Sequence, residues 1–523
     1  LLPPDAREWL PGRHLAWAVL EAAGELDLAP FCAWYRADGQ GRPAYHPRLM
    51  VGLVMYCYCK GIRSSRAIEM ATWDDVGARV ICGNLHPDHA TVHRFVTHHE
   101  QPVKGLLVQS LVACAKQGLV SVDVVAGDGT KVKASASIAA GATAERLEIE
   151  IAELEALLAA EVETWFAQAQ AADAVEDALS GEGEPDGGGA GPGAGGGTMT
   201  LARLTDKIVR RQKAKARLDA GAARQQAEAA AAHQDKIARL QARSAARRAD
   251  AGRLAAGADA KVADYQRRAA QKAAAGSRKR PDGRMPVPAD QHTGVRRARQ
   301  ALAAAEQALA AARATPATAT PPAKPPKANT TDPASRVMPT KKGGFDQLHN
   351  VQALAGKHQV IYAIATHDNP TGTAALHPLL AKARANLDAA GIPSPLGTAL
   401  FDAGYASEDN FTTACEPELY VAITKEARQT GRLRDGQKPA TMKESWQQMA
   451  ARLDTPQGQA LYRRRAGIIE PVFAQLFGRL GRDLHYRDTK ADLELHLWAA
   501  SHNFLKAIRA QARRSAATPA PAS

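Results

Sequence analysis

Three carboxylates have surroundings that do not account for them. Asp128 lies in VVAGDGTKVKA, where the β-branched Val124, Val125 and Val132 suit a pleated strand and Gly127 and Gly129 bracket the acid. Locally, two readings stay open. Asp-Gly is a common hairpin signal, which makes Asp128 a turn residue; otherwise the acid is there for chemistry. Asp402, in PLGTALFDAGYASEDNF, ends an apolar strand-like run, after which Gly404 can turn the chain and Ser407 can cap a short helix. Open α/β sheets bind ligands at the carboxyl ends of their strands, so Asp402 is a candidate metal ligand. Glu470, in YRRRAGIIEPVFAQLFGRLG, stands among Ile468, Ile469, Val472 and Phe473. Burying it requires a partner, of which a neighbouring arginine is the simplest, or a cation. Acids from two strands and a helix are the ligands that two-metal phosphoryl transfer requires, because Mg²⁺ takes hard oxygen donors and keeps positions for phosphate and water.

A second constellation, Cys82, His86, His89 and His93, offers zinc-type ligands in an order that matches no recurrent structural spacing, and Pro87 breaks any shared helix face. Cys57 and Cys59 are two apart, so on a helix they point in different directions.

The elements that must position these groups are legible in part. From Pro47 to Glu100 the chain reads as short helices: Pro47 opens one and Gly61 closes it, Ser64 or Ser65 caps the next, and Asp88 or Thr91 caps a third with Val92, Phe95 and Val96 as its apolar stripe. With Arg63, Arg66, Arg79 and Arg94 this resembles a helix-turn-helix module in outline, with a plain helical bundle as the simpler alternative. Composition then shifts from about Ala139 to about Lys327. Leu147, Ile151, Leu154, Leu158, Val162 and Trp165 form the seam of an amphipathic or coiled helix, followed by the linker GEGEPDGGGAGPGAGGG and an Ala, Arg, Gln and Lys-rich run. Val295, Leu302 and Leu309 fall seven apart before the extended TPATATPPAKPPK. The region reads as helical arms inserted in a globular domain, their charges more simply solvated faces than DNA contacts. Beyond it, HQVIYAIAT, PLGTALFDAGY and ELYVAIT are strand-like and TAALHPLLAKARANLDAAG is a helix, a βαβ pattern; from Ser445 the chain is mainly helical.

Length and charge narrow the class. At 523 residues, two or three domains are expected, and 67 Lys and Arg against 54 Asp and Glu leave a formal +13 that favours a polyanionic partner such as nucleic acid. Six scattered cysteines read as reduced thiols in a cytoplasm, and there is no apolar run of membrane-spanning length and no signal-peptide pattern at the start.

In this order, GDGTKVKASAS, FDAGYASEDNF and YRRRAGIIEPVF closely resemble the three acidic motifs of DDE transposases encoded by bacterial insertion sequences. YHPRLMVGLVMYCYCKGIRSSRAIE with PDHATVHRF resembles the N-terminal domain of those proteins, and TDPASRVMPTKKGGFDQLHNVQA resembles the segment where their catalytic fold resumes. The resemblance implies an α/β ribonuclease H-like catalytic core, a mixed sheet with flanking helices, preceded by an all-α N-terminal domain and interrupted by a long helical or coiled-coil insertion. The expected boundaries are 1–118 for the helical DNA-binding domain, 119–138 and 331–512 for the catalytic domain, 139–330 for the insertion and 513–523 for a disordered tail. Asp128, Asp402 and Glu470 become the catalytic triad binding Mg²⁺ or Mn²⁺, two ions, and the glycines beside Asp128 become room for metal and phosphate. The implied activity is cutting DNA at the ends of a mobile element and joining the 3′-OH to target DNA, as a homodimer in the synaptic complex, in the cytoplasm on the nucleoid and without a membrane. The alternatives are an inactive DNA-binding or assembly descendant and a metal-dependent nuclease without strand transfer.

Expected DNA contacts are Arg63, Arg66 and Arg94 in the N-terminal domain, and Lys131, Lys133, Tyr462, Arg465 and Arg479 near the acids. The third motif supplies the family's Tyr, Arg and Glu as Tyr462, Arg465 and Glu470 but has Phe477 where a basic residue is often found, with Arg479 two further on. The phosphate contact is then lost, shifted to Arg479 or supplied by another chain. A straight helix would put Arg463 and Phe477 beside Glu470 and turn Arg465 away, whereas Gly467 and Pro471 suggest a kink or a helix start.

Overall fold

The structure is a computed structural model that describes residues 8–33, 35, 44–179, 195–275, 279–281, 283–317, 324–340, 343–367, 372–423 and 443–517. Most of the Gly-rich stretch, part of the Pro-rich one and the last six residues of the expected tail lie outside them; the helix before that tail continues to Ala517.

Among the described residues, seven α-helices precede the first strand: α1 Leu15–Glu25, α2 Ala29–Cys32, α3 Pro47–Lys60, α4 Ser65–Asp74, α5 Val76–Ile81, α6 His89–His98 and α7 Glu100–Lys116. Their ends follow the sequence punctuation. Pro47 occupies the first turn of α3, and Gly61 ends it at φ 86°, a left-handed conformation that costs glycine little. The Ser64 hydroxyl accepts from the Ala67 amide at the start of α4, and the Asp88 carboxylate accepts from Thr91 at the start of α6. Nearly every residue of α3 from Met50 to Cys59 is buried, so it runs through the middle of this part of the core rather than along a surface.

Among the described residues the sheet has six strands: β1 Val124–Lys133, β2 Arg336–Pro339, β3 Phe345–Gly356, β4 Ile361–His367, β5 Thr398–Phe401 and β6 Glu418–Val421. Its order is β4-β3-β1-β5-β6, with β2 pairing the start of β3. β3 is antiparallel to β1 and β4, while β1, β5 and β6 run parallel. The strand β3, buried without interruption from Leu348 to Gly356, lacks the alternation that marks half-buried strands and was not legible as a strand. The helix expected between strands is α11 Leu376–Ala389; it joins β4 to β5, which are separated in the sheet by β3 and β1. Helices α12 Glu408–Thr412, α13 Glu444–Asp454, α14 Pro456–Leu480 and α15 Thr489–Ala517 complete this part. Helix α14 packs on β1, and α15 on α7 and β4. One continuous apolar core joins Tyr56 and Leu53 of α3 to Val125 of β1, Ile469 of α14 and Trp498 of α15.

The region between is helical, as expected: α8 Ala144–Leu179, α9 Gly195–Ala274 and α10 Thr293–Ala314. The chain divides into two compact units, residues 1–142, 149–214 and 328–523 in the first, 143–148 and 215–327 in the second. In the first, Arg211 of α9 pairs with Glu150 of α8 at 2.7 Å. In the second, Val295 of α10 is buried with Ala258 and Ala289, and Arg248 pairs with Glu306 at 2.6 Å. Trp165 and Phe166, at the end of the expected seam, are exposed.

Candidate active site

β1 runs unbroken through Asp128, which faces Ala353 of β3, so the Asp-Gly pair is not a hairpin turn. On its other side β1 pairs in parallel with β5 as far as Ala126 opposite Leu400. Asp128, midway along β1, and Asp402, one residue past the end of β5, are each two residues beyond that last pair, where a side-chain period of two directs both toward the same face. Asp402 leaves the sheet and caps a short turn, accepting from the Gly404 amide at 2.9 Å. Ser407 caps α12 as the sequence suggested.

The flanking glycines serve packing, contrary to the room for metal and phosphate expected of them. A Cβ on Gly127 would sit 2.1 Å from the Phe401 ring, and one on Gly129 would sit 2.4 Å from the Gln352 amide. Gly127 therefore lets β1 and β5 close over Phe401, and Gly129 admits Gln352, which in turn accepts from the Tyr405 hydroxyl.

Glu470 comes from α14, which is continuous from Pro456 to Leu480 and neither begins at Glu470 nor breaks at Pro471. Proline lacks the N–H that would bond the Gly467 carbonyl one turn back. The Gln359 side-chain amide donates to that carbonyl instead, at 3.3 Å. Gln359 is itself in the left-handed region, φ 61°, and its side-chain Oε1 accepts from Gln475 and Lys506.

Asp128, Asp402 and Glu470 line one cleft of about 870 Å³ together with Tyr462, Arg463, Arg465, Phe477 and Arg482. Arg465, expected to point away on a straight helix, reaches in. Its guanidinium lies 3.3 Å from Asp128 and 3.6 Å from Glu470; Glu470 is exposed rather than buried among its apolar neighbours, so no burial penalty demands this partner. Burial of Asp128 raises its carboxyl above the ordinary value, Arg465 opposes that and the charge of Asp402 adds to it. Burial opposes the charge of Arg465, but Asp128, Tyr462 and Asp402 outweigh it and hold the guanidinium above its ordinary value. The Tyr462 hydroxyl is buried beside these groups; burial, opposed by Arg465 and reinforced by Asp402, pushes it up to about 12.

The other expected DNA contacts separate. Arg66 and Arg94 are exposed on α4 and α6. Arg63 is buried, contrary to expectation: it pairs with the fully buried Glu494 at 3.1 Å and lies over the Trp498 ring, so it is a structural residue. Lys131 donates to the Pro339 carbonyl and Lys133 pairs with Asp346, both beside the cleft. Arg479 turns away from the acids to Ser501 and the Cys59 side of α14. The residue over Phe477 is Arg482, 4.5 Å from the ring centre, which sequence reading missed because it lies beyond the end of the helix. Of the second constellation, His86 stacks on Trp73, His89 pairs with Glu69 and His93 stacks on Tyr486.

Two family models match the chain: a transposase domain over residues 5–98 and a transposase DDE domain over residues 314–504. Together they span more than half of it. The chain belongs to the DDE transposases of insertion sequences. Its mixed sheet is accordingly of the ribonuclease H-like type. The strand carrying Asp128 lies outside both matched ranges, so within this transposase its place beside Asp402 rests on register. No curated protein and no solved structure matches the chain. Among the described residues no helix is long and apolar enough to cross a membrane.

Transposases of this family use divalent metal ions, and three carboxylates with no sulfur or imidazole suit a hard cation in kind. Among the described residues, however, no three acidic, His or Cys groups stand at metal-ligand spacing. The Arg465 guanidinium occupies the space between Asp128 and Glu470 that a shared ion would take.

Proposed function

We propose that this transposase binds the ends of its element, cuts DNA there by hydrolysis of a phosphodiester and joins the freed 3′-OH to target DNA, with Asp128, Asp402 and Glu470 as the catalytic acids. The observation that carries the reading is the shared register of Asp128 and Asp402 on β1 and β5, with Glu470 on the same cleft. Those three acids would hold Mg²⁺ or Mn²⁺, in a pair. Such ions, when bound, activate the attacking water or hydroxyl and stabilise the leaving oxygen.

The remaining work falls to the chain. Arg465 keeps Asp128 and Glu470 close in spite of their like charge, and gives up at least one of these contacts when the acids take ligand. Lys131 and Lys133 stand at the rim where phosphates pass, and the exposed Arg66 and Arg94 give the N-terminal helices, residues 1–118, a cationic surface for DNA. The catalytic domain is 119–138 with 331–512, and the helical arms between them pair two protomers in the synaptic complex. The free cysteines accord with action in the cytoplasm, on the nucleoid.

The test is incubation of purified full-length protein with labelled element-end DNA, target DNA and Mg²⁺ or Mn²⁺. Cut ends and joined products support the proposal. Cutting without joining makes the protein a nuclease, and binding without cutting makes it a DNA-assembly protein.

A further inference from the structure

On α14, Arg463, Ala466, Glu470, Phe473 and Phe477 all line the cleft, at spacings of three, four, three and four. They form one stripe along the helix with Glu470 in the middle. The two ends of the stripe carry positive charge. Arg463 is seven residues before Glu470, and Arg482 is stacked on Phe477, seven residues after it. Both arginines are exposed, and among the described residues neither is paired with a carboxylate, unlike Arg465, which the acids hold.

Arg482 is also fixed. Its carbonyl accepts from the Lys133 amide, and the next residue but one donates back to the Lys133 carbonyl, both at 2.8 Å, which ties this segment to the end of β1. The ring beneath adds a cation–π contact that holds the guanidinium over the cleft without neutralising it.

We infer that Arg463 and Arg482 form a two-ended clamp that aligns one DNA strand along α14. Seven residues of helix rise about 10 Å, which spans one or two phosphates along a strand, because neighbouring phosphates lie further apart than the ~3.4 Å axial rise of a duplex. The two guanidinium groups thus grip phosphates one or two steps to either side of the one presented to Glu470, and set which phosphate is cut. The inference rests on the proposed function and extends it to positioning residues. A guanidinium on Phe477 makes a lysine at 477 unnecessary.

The test measures binding of full-length protein to element-end DNA in EDTA, across a range of salt. Arg463→Gln and Arg482→Gln each lower the slope of log K against log salt by about 0.9, with melting temperatures unchanged; Arg482→Lys retains the slope, as does Lys116→Gln on α7. A single methylphosphonate one or two nucleotides from the cut weakens binding by wild type, and that penalty vanishes in the variant lacking the arginine that meets it. Cutting by these Gln variants spreads to neighbouring phosphates. If wild type cuts the DNA but the variants keep its slope, its methylphosphonate sensitivity and its cut position, the clamp is wrong while the proposed function stands. If wild type binds no element-end DNA, both fail.

Discussion

Asp128, on β1, and Asp402, just past the end of the parallel neighbour β5, each stand two residues beyond the last pair of those strands, Ala126 and Leu400. Their proximity is a property of the sheet, set by apolar residues that carry no chemistry. A change that spreads β1 from β5 therefore acts on the site without touching an acid.

Gly127→Ala makes such a change. Its Cβ has no room beside the Phe401 ring, and overpacking of this kind costs about 1–3 kcal/mol. Urea denaturation should show a lower midpoint, and DNA cutting should fall; Phe401→Leu in the same chain should recover part of both. A Gly127→Ala protein as stable and active as wild type would contradict the packing argument.

The bond from Gln359 to the Gly467 carbonyl substitutes for the one Pro471 cannot make. Gln359→Ala should lower stability by about 1 kcal/mol. In a Pro471→Ala chain, where the helix can bond that carbonyl itself, the same change should cost much less. Equal costs in the two backgrounds would mean that Gln359 acts elsewhere.

Arg465 bridges Asp128 and Glu470. Arg465→Met removes the compensating charge and should destabilise the protein without added metal by about 2 kcal/mol. Mn²⁺ should then raise the melting temperature more in the variant than in wild type, because the acids have lost their internal cation. An equal or smaller rise would show that Arg465 does not compete with metal.

Arg63 and Arg66 are three residues apart and differ in role. Arg63→Met leaves Glu494 buried without its partner and should cost about 3–5 kcal/mol. Arg66→Gln should leave stability unchanged and weaken DNA binding in a salt-dependent way. The reverse pattern would return Arg63 to the DNA surface.

How much was legible follows from where the signals lie. The helix ends at Pro47, Gly61, Ser64 and Asp88 were readable because caps are local chemistry. The strands around Ile361, Thr398 and Glu418 were readable from apolar runs between breakers. Strand β3 was not, since a strand buried on both faces has no period to detect. Asp402 could be placed at a strand end from its own neighbours. From its own neighbours Asp128 could not be told from a turn residue; the resemblance alone made it one of the acids, and its pairing with Ala353 of β3 excludes the turn. The inward reach of Arg465, the burial of Arg63 and the seat of Arg482 on Phe477 depend on contacts across the fold, which spacing along one helix does not contain.

The central claim is that Asp128, Asp402 and Glu470 form one catalytic site. It is tested most directly by single-turnover cutting of element-end DNA in Mn²⁺ with Asp128→Asn, Asp402→Asn and Glu470→Gln, each first shown to fold and to bind the DNA. Each change should slow cutting by on the order of 1,000-fold, about 4 kcal/mol of transition-state stabilisation. Cutting at the wild-type rate by any one of the three would contradict the account.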